Sequence, residues 1–156
     1  MRGRGLSATD TDTMRIFAAM LAFAALLATT GGADAASRYA GTYTTMRPGA
    51  DSTQAITLVL HPNGRAELIT SYPDLVRSAG PGVLPISEVG MWRDRGATAE
   101  VRLTAFGLVR DGRMIEPKRD NNTMTFALQH CRLTAVRYSK VNYGEAGLSL
   151  DKTGCR

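Results

Sequence analysis
The sequence predicts an all-β domain, a small antiparallel up-and-down barrel of about eight strands, and three observations carry that expectation. Apolar residues recur at every second position, as in Ile56, Leu58 and Leu60 or Ala99, Val101 and Leu103, which is the spacing of a strand with one buried face. Turn signals separate these runs, the strongest being Pro62-Asn63-Gly64 and Asp111-Gly112. After the amino-terminal apolar run, no segment has helical spacing. Consecutive hairpins argue for a meander. Closing it removes exposed strand edges, which favours a barrel over the alternative, a β-sandwich.

Residues 1–35 read as a secretory signal. Arg15 precedes the apolar run Ile16–Ala28, and Ala33 and Ala35 place small side chains at the two cleavage-recognition positions, so cleavage is expected between Ala35 and Ala36. The run is shorter than the ~20 residues of a spanning helix. Met14 is a second candidate start, because Met14-Arg15 and the apolar run make a signal without the polar leader. No cysteine lies near the cleavage position, so no lipid anchor is expected. The expected product is a monomer, residues 36–156, in the periplasm or the medium, with one core.

The mature chain opens with a strand over Arg38–Thr45, broken by Arg47-Pro-Gly-Ala-Asp-Ser52. The hairpin Ala55–Tyr72 follows. Pro62 presets φ for a type I turn and Gly64 takes the left-handed position after it, so His61 pairs with Arg65, Leu60 with Ala66 and Leu58 with Leu68. Pro73–Pro85 holds three prolines and two glycines and is expected to be a loop, the longest of the domain. Ile86–Arg93 and Thr98–Thr104 resume as strands, Leu108–Ile115 carries the two-residue hairpin signal Asp111-Gly112, and Pro117–Asn122 reads as a polar turn. Met124, Phe126 and Leu128 mark a strand, as does Arg132–Tyr138. Val141–Gly144 then turns the chain into Ala146–Leu150.

Charge and motifs narrow the function classes more than they choose one. The chain carries a formal charge of +5, but its arginines are scattered along strands, and no recognition helix, zinc-finger spacing or RNA-binding aromatic motif accompanies them; nucleic acid is not an expected partner. Cys131 and Cys155 lie twelve residues either side of Tyr143 and are expected to form a disulfide across the last hairpin. The competing reading is a redox or copper pair with His130 and Met124, since soft ligands suit Cu(I). His61 with Ser52 and Asp51 would be the components of a hydrolase, but no nucleophile-elbow pattern surrounds them. No catalytic residue, cofactor or metal site is expected. Trp92 is either core or a ligand platform with Tyr72 or Tyr43. Asn121-Asn122-Thr123 matches the glycosylation acceptor pattern, and otherwise reads as a turn. Tyr72, Leu75, Val76, Val83, Leu84 and Trp92 make the candidate ligand or partner surface, because long loops often carry function.

In order along the chain stand Tyr39-Ala-Gly-Thr-Tyr43, Pro48-Gly-Ala-Asp-Ser52, Ile56-Thr-Leu-Val-Leu-His-Pro-Asn-Gly64, Tyr72, Gly90-Met-Trp92 and Val101-Arg-Leu-Thr104. This arrangement resembles the amino-terminal domain of NlpE-like envelope lipoproteins over residues 38–128. The resemblance implies a lipocalin-like barrel and a link to envelope stress and copper tolerance. It also implies a Cys-x-x-Cys pair and a lipidated cysteine, and the chain has neither: Gly49 and Ser52 stand where the pair would be. Two functions are therefore expected to compete. One is a non-enzymatic envelope barrel that binds a small apolar ligand or an envelope protein. The other is an inhibitor or modulator of an envelope enzyme, similar to lysozyme inhibitors, presenting the 73–85 loop.

Overall fold
The computed structural model describes residues 37–49, 51–139 and 148–155. The segment read as a signal, its expected cleavage position and the expected 141–144 turn lie outside the described residues. Eight antiparallel strands close into one barrel: β1 Gly41–Pro48, β2 Thr53–Leu60, β3 Arg65–Ser71, β4 Ile86–Asp94, β5 Thr98–Arg110, β6 Arg113–Gln129, β7 Arg132–Tyr138 and β8 Ser149–Lys152. One helix, α1 Pro73–Ala79, sits between β3 and β4. Each strand pairs with the next, and β8 closes onto β1 through Tyr43 opposite Lys152 and Thr44 opposite Asp151.

The hairpin of β2 and β3 forms in the expected register, with Leu58 opposite Leu68 and Leu60 opposite Ala66. The His61 amide donates to the Arg65 carbonyl at 2.9 Å, and Gly64 holds φ at 82°. Side chains directly opposite one another share a sheet face, and this carries the inward face around the barrel. Ile56, Leu58, Leu60, Ala66, Leu68, Ala99, Val101, Leu103, Met124, Phe126, Leu133 and Leu150 are all buried in one cluster.

The two ends differ. At the turn end, Tyr39 and Trp92 close the core. The Trp92 indole donates to the His61 carbonyl at 2.8 Å, and the Tyr39 hydroxyl reaches the Gly96 carbonyl at 3.2 Å. At the other end, which the β5–β6 hairpin overhangs, the inward face becomes polar. There Arg47 donates to Gln54 at 2.9 Å, and the buried Asn122 amide donates to the Glu88 carboxylate at 3.3 Å. Apolar filling thus stops before the hairpin end.

Four expectations need correction. First, the opening strand begins at Gly41 rather than Arg38 and runs on through Arg47 and Pro48. The Arg38-Tyr39 turn places the Tyr39 ring in the core, and the reversal after Pro48 is closed by the Gly49 amide on the Ser52 carbonyl at 2.8 Å.

Second, the 73–85 segment is not all loop. Pro73 stands at the start of α1 with no N–H to lose, Asp74 is in the first turn, Arg77 is in the last, and Gly80 caps the end. Seven residues are too few for helical periodicity to show in sequence.

Third, Pro117–Asn122 is not a turn but the middle of the 17-residue β6. Its polar residues are absorbed as bulges. Lys118 faces Phe106 while Ile115 faces Leu108, which leaves one extra residue at Glu116-Pro117; a second extra residue falls between Arg119 and Asn122. Between Arg113 and Asn122, β6 pairs on one side only among the described residues, so Pro117 lies on an edge, where a missing N–H is tolerated.

Fourth, the Cys131–Cys155 disulfide is present, with Cα atoms 5.9 Å apart, but the register that delivers it is not the symmetric one. Arg132 faces Asp151 and Leu133 faces Leu150. Cys131 therefore lies level with Lys152, whose amide donates to the Cys131 carbonyl at 2.7 Å, and a turn with Gly154 at φ 76° brings Cys155 back to it.

Candidate ligand-binding site
The structure splits the surface expected from sequence. Tyr72, Leu75, Val83 and Leu84 are half-buried beside the hairpin end, and Val76 on α1 is 40% exposed. Trp92 lies at the turn end, 5% exposed, with its one polar atom satisfied inside the fold. It is core, as one of its two readings had it, and it cannot line a mouth with Tyr72, because the length of β3 separates them. Tyr43 is likewise core, its hydroxyl donating to the Tyr39 carbonyl at 2.9 Å.

The hydrolase and copper constellations are dispersed by the same topology. His61 follows β2 and Ser52 precedes it, so eight strand residues, roughly 25 Å at ~3.3 Å each, lie between base and nucleophile. His130 is exposed at the β6–β7 turn, Met124 is buried in the core, and the Cys131 sulfur is bonded to Cys155. Among the described residues no group of three or more His, Cys, Asp or Glu side chains could hold a metal.

What the fold does assemble is a cleft at the hairpin end. Starting from the buried Ile56, the pairings run Ile56–Thr70, Thr70–Ile86, Ile86–Leu108 and Leu108–Ile115, so all five side chains share the inward face. The next row runs Leu68–Glu88, Glu88–Phe106 and Phe106–Lys118. Beyond Ile86, the first residue of β4, the β5–β6 hairpin continues alone, and Ile86, Phe106, Gly107, Leu108, Ile115, Glu116 and Lys118 line a cleft of about 230 Å³. The loop after α1 is tied to this hairpin through the Val109 amide, which donates to the Pro85 carbonyl at 2.8 Å.

Reading the turn signals alone misses this cleft. Asp111-Gly112 locates the hairpin tip, with both residues at positive φ as a two-residue turn requires. Taking Pro117–Asn122 as a turn cuts the hairpin short and hides Lys118. The alternation Phe106, Leu108, Arg110 followed by Arg113, Ile115 is the signal that finds it.

Elsewhere the electrostatics are those of a pinned surface. The Thr53 side chain and amide hold the Asp74 carboxyl below its ordinary range, and the Ser37 hydroxyl does the same for Asp94, with the Gly96 amide adding to it. Arg132 depresses Asp151 through a 2.8 Å contact. Burial, with Tyr39 beside it, pushes the Tyr43 phenol up to about 12. No helix among the described residues is long and apolar enough to cross a membrane. Comparison with protein-family models, curated proteins and solved structures finds no match to this chain.

Proposed function
We propose that the chain is a non-enzymatic, exported binding barrel that takes a small apolar ligand at its hairpin end. The observation that carries this reading is the cleft under the β5–β6 hairpin, apolar on three strands and overhung by residues that have no barrel left to close. The turn-end half of the barrel is packed with its own side chains, including Tyr39, Tyr43, Trp92 and Phe126, so a ligand seats at the rim rather than in the middle. Against catalysis stands the separation of His61 from Ser52 and Asp51 along β2.

Export is supported by the signal-like amino terminus and by Cys131–Cys155, a covalent bond suited to an oxidising compartment. Kinship to NlpE-like envelope proteins is part of the proposal. An eight-strand closed barrel supports it, while Gly49 and Ser52 remove that family's thiol chemistry from consideration.

Native mass spectrometry of protein purified from an exporting host tests the reading. A bound small molecule that is lost in an Ile115→Gln variant of unchanged melting temperature is expected. Ligand-free protein, together with turnover of an ester or glycoside substrate, would overturn it.

A further inference from the structure
The inward face of the β5–β6 hairpin is apolar at its base and cationic at its tip. Arg110 and Arg113 are paired directly across the Asp111-Gly112 turn, on the same face as Leu108 and Ile115 in the next row, and Lys118 faces Phe106 in the row after that. Like charges placed opposite each other on a strand pair destabilise it, and no carboxylate among the described residues forms an ion pair with Arg110, Arg113 or Lys118. All three are exposed; Lys118 lines the cleft, whose Leu108 is 40% exposed, and Arg110 and Arg113 stand on the same face one row beyond Leu108 and Ile115.

The backbone at this place is also held out of its comfortable range. Glu116 has φ 51° immediately before Pro117, a conformation that both a side chain and a following proline disfavour. The bulge that results displaces Lys118 by one position and sets it opposite Phe106 rather than a residue earlier.

We infer that this site selects an anionic amphiphile, a single acyl chain carrying a carboxylate or phosphate head. The chain end lies against Ile86, Phe106, Leu108 and Ile115, and the head is held by the guanidinium groups of Arg110 and Arg113 and the Lys118 ammonium. Arginine suits this task because its planar fork meets carboxylate and phosphate oxygens in pairs. At about 230 Å³ the cleft falls below the ~300–1,000 Å³ of sites that engulf a whole drug-sized ligand, so it takes the end of a chain and leaves the head at the rim. Glu116 opposes an anionic head, and neutralising it tightens the site. This inference rests on the ligand-binding reading above and adds the charge of the ligand to it.

Calorimetric titration of the purified residue 36–156 protein with decanoate, decanol and decyltrimethylammonium tests it. Decanoate binds most tightly, and its affinity falls with added salt. In the Arg110→Gln, Arg113→Gln, Lys118→Gln triple variant, decanoate weakens by about tenfold or more, since charge-assisted contacts are lost, while decanol affinity stays put and the melting temperature does not fall. Glu116→Gln strengthens decanoate and leaves decanol unchanged. If decanol and decanoate bind alike and the triple variant changes neither, the charge selection is wrong and the binding site remains. If none of the three binds at about 1 mM, a free energy near −4 kcal/mol, both the inference and the ligand-binding reading fall.

Discussion

Single residues decide the turn end of the barrel. Gly64 sits at φ 82° with its carbonyl accepting from the Trp92 amide at 2.7 Å. A Cβ there would meet the Trp92 carbonyl oxygen only at 3.5 Å, so space is not the obstacle. The obstacle is φ, which a β-branched side chain disfavours, and Gly64→Val is expected to cost roughly 1–3 kcal/mol in chemical denaturation with ligand binding unaffected. Gly90 is the opposite case. Any Cβ would collide with the Arg102 carbonyl oxygen and stand 2.7 Å from the Leu103 Cα, at the bulge where β5 carries Thr104 as an extra residue opposite Val89 and Gly90. The sequence shows a glycine near Trp92 but not the register that makes it necessary.

Tyr43 gives a pH signature at the same scale. Its phenol is held near 12 in the fold against about 10 unfolded, so below pH 10 it is protonated in both states and contributes no pH dependence. Between about pH 10 and 12 the unfolded chain releases the proton and the native state keeps it, so stability falls as pH rises through that window. Urea midpoints measured across it should drop in the parent protein and drop less in Tyr43→Phe. Equal slopes would mean that the buried phenol ionises as freely in the fold as out of it.

At the scale of elements, legibility follows locality. The β2–β3 hairpin is readable because its register is set within eighteen residues by one turn and one alternation. β6 is not, because a bulge shows only against its partner strand; Pro117–Asn122 looks like a turn until Leu108 is set opposite Ile115 and Phe106 opposite Lys118. The helix α1 hides for another reason, its brevity. It contributes no fully buried side chain, so Leu75 and Leu84 neither plug the barrel deeply nor stand free. A Leu75→Ser, Leu84→Ser protein should therefore melt a few degrees lower, each half-buried side chain accounting for part of the ~1.5–3 kcal/mol of full burial. An unchanged melting temperature with lost partner binding would instead make this segment a docking surface.

Among the described residues, the closing seam has the fewest strand pairings of the barrel. Two described residue pairs join β8 to β1 and three join it to β7, and Lys152 helps by donating to the Arg38 carbonyl at 3.1 Å. The disulfide pins the chain just beyond this seam, and the 24-residue separation it spans corresponds to roughly 3 kcal/mol of restricted unfolded-state freedom. Cys155→Ser is expected to lower the melting midpoint by roughly 10 °C and to leave the cleft intact, since the two cysteines lie at the turn end.

For the whole molecule, the strand alternation and the turns make the barrel legible, whereas the ligand site depends on which end of the barrel is filled. Tyr39, Trp92 and Phe126 fill it from the turn end, and the interior turns polar at Arg47, Gln54, Glu88 and Asn122 before reaching the hairpin. That asymmetry is the basis for placing the ligand at the rim. The measurement that tests it most directly is a titration of isotope-labelled protein with decanoate, followed by amide and methyl chemical shifts. Changes confined to Ile86, Phe106, Leu108, Ile115 and Lys118 and to the adjoining Arg110 and Arg113 are expected. Changes centred on Leu58, Val101 and Phe126 would place the ligand inside the barrel and contradict it.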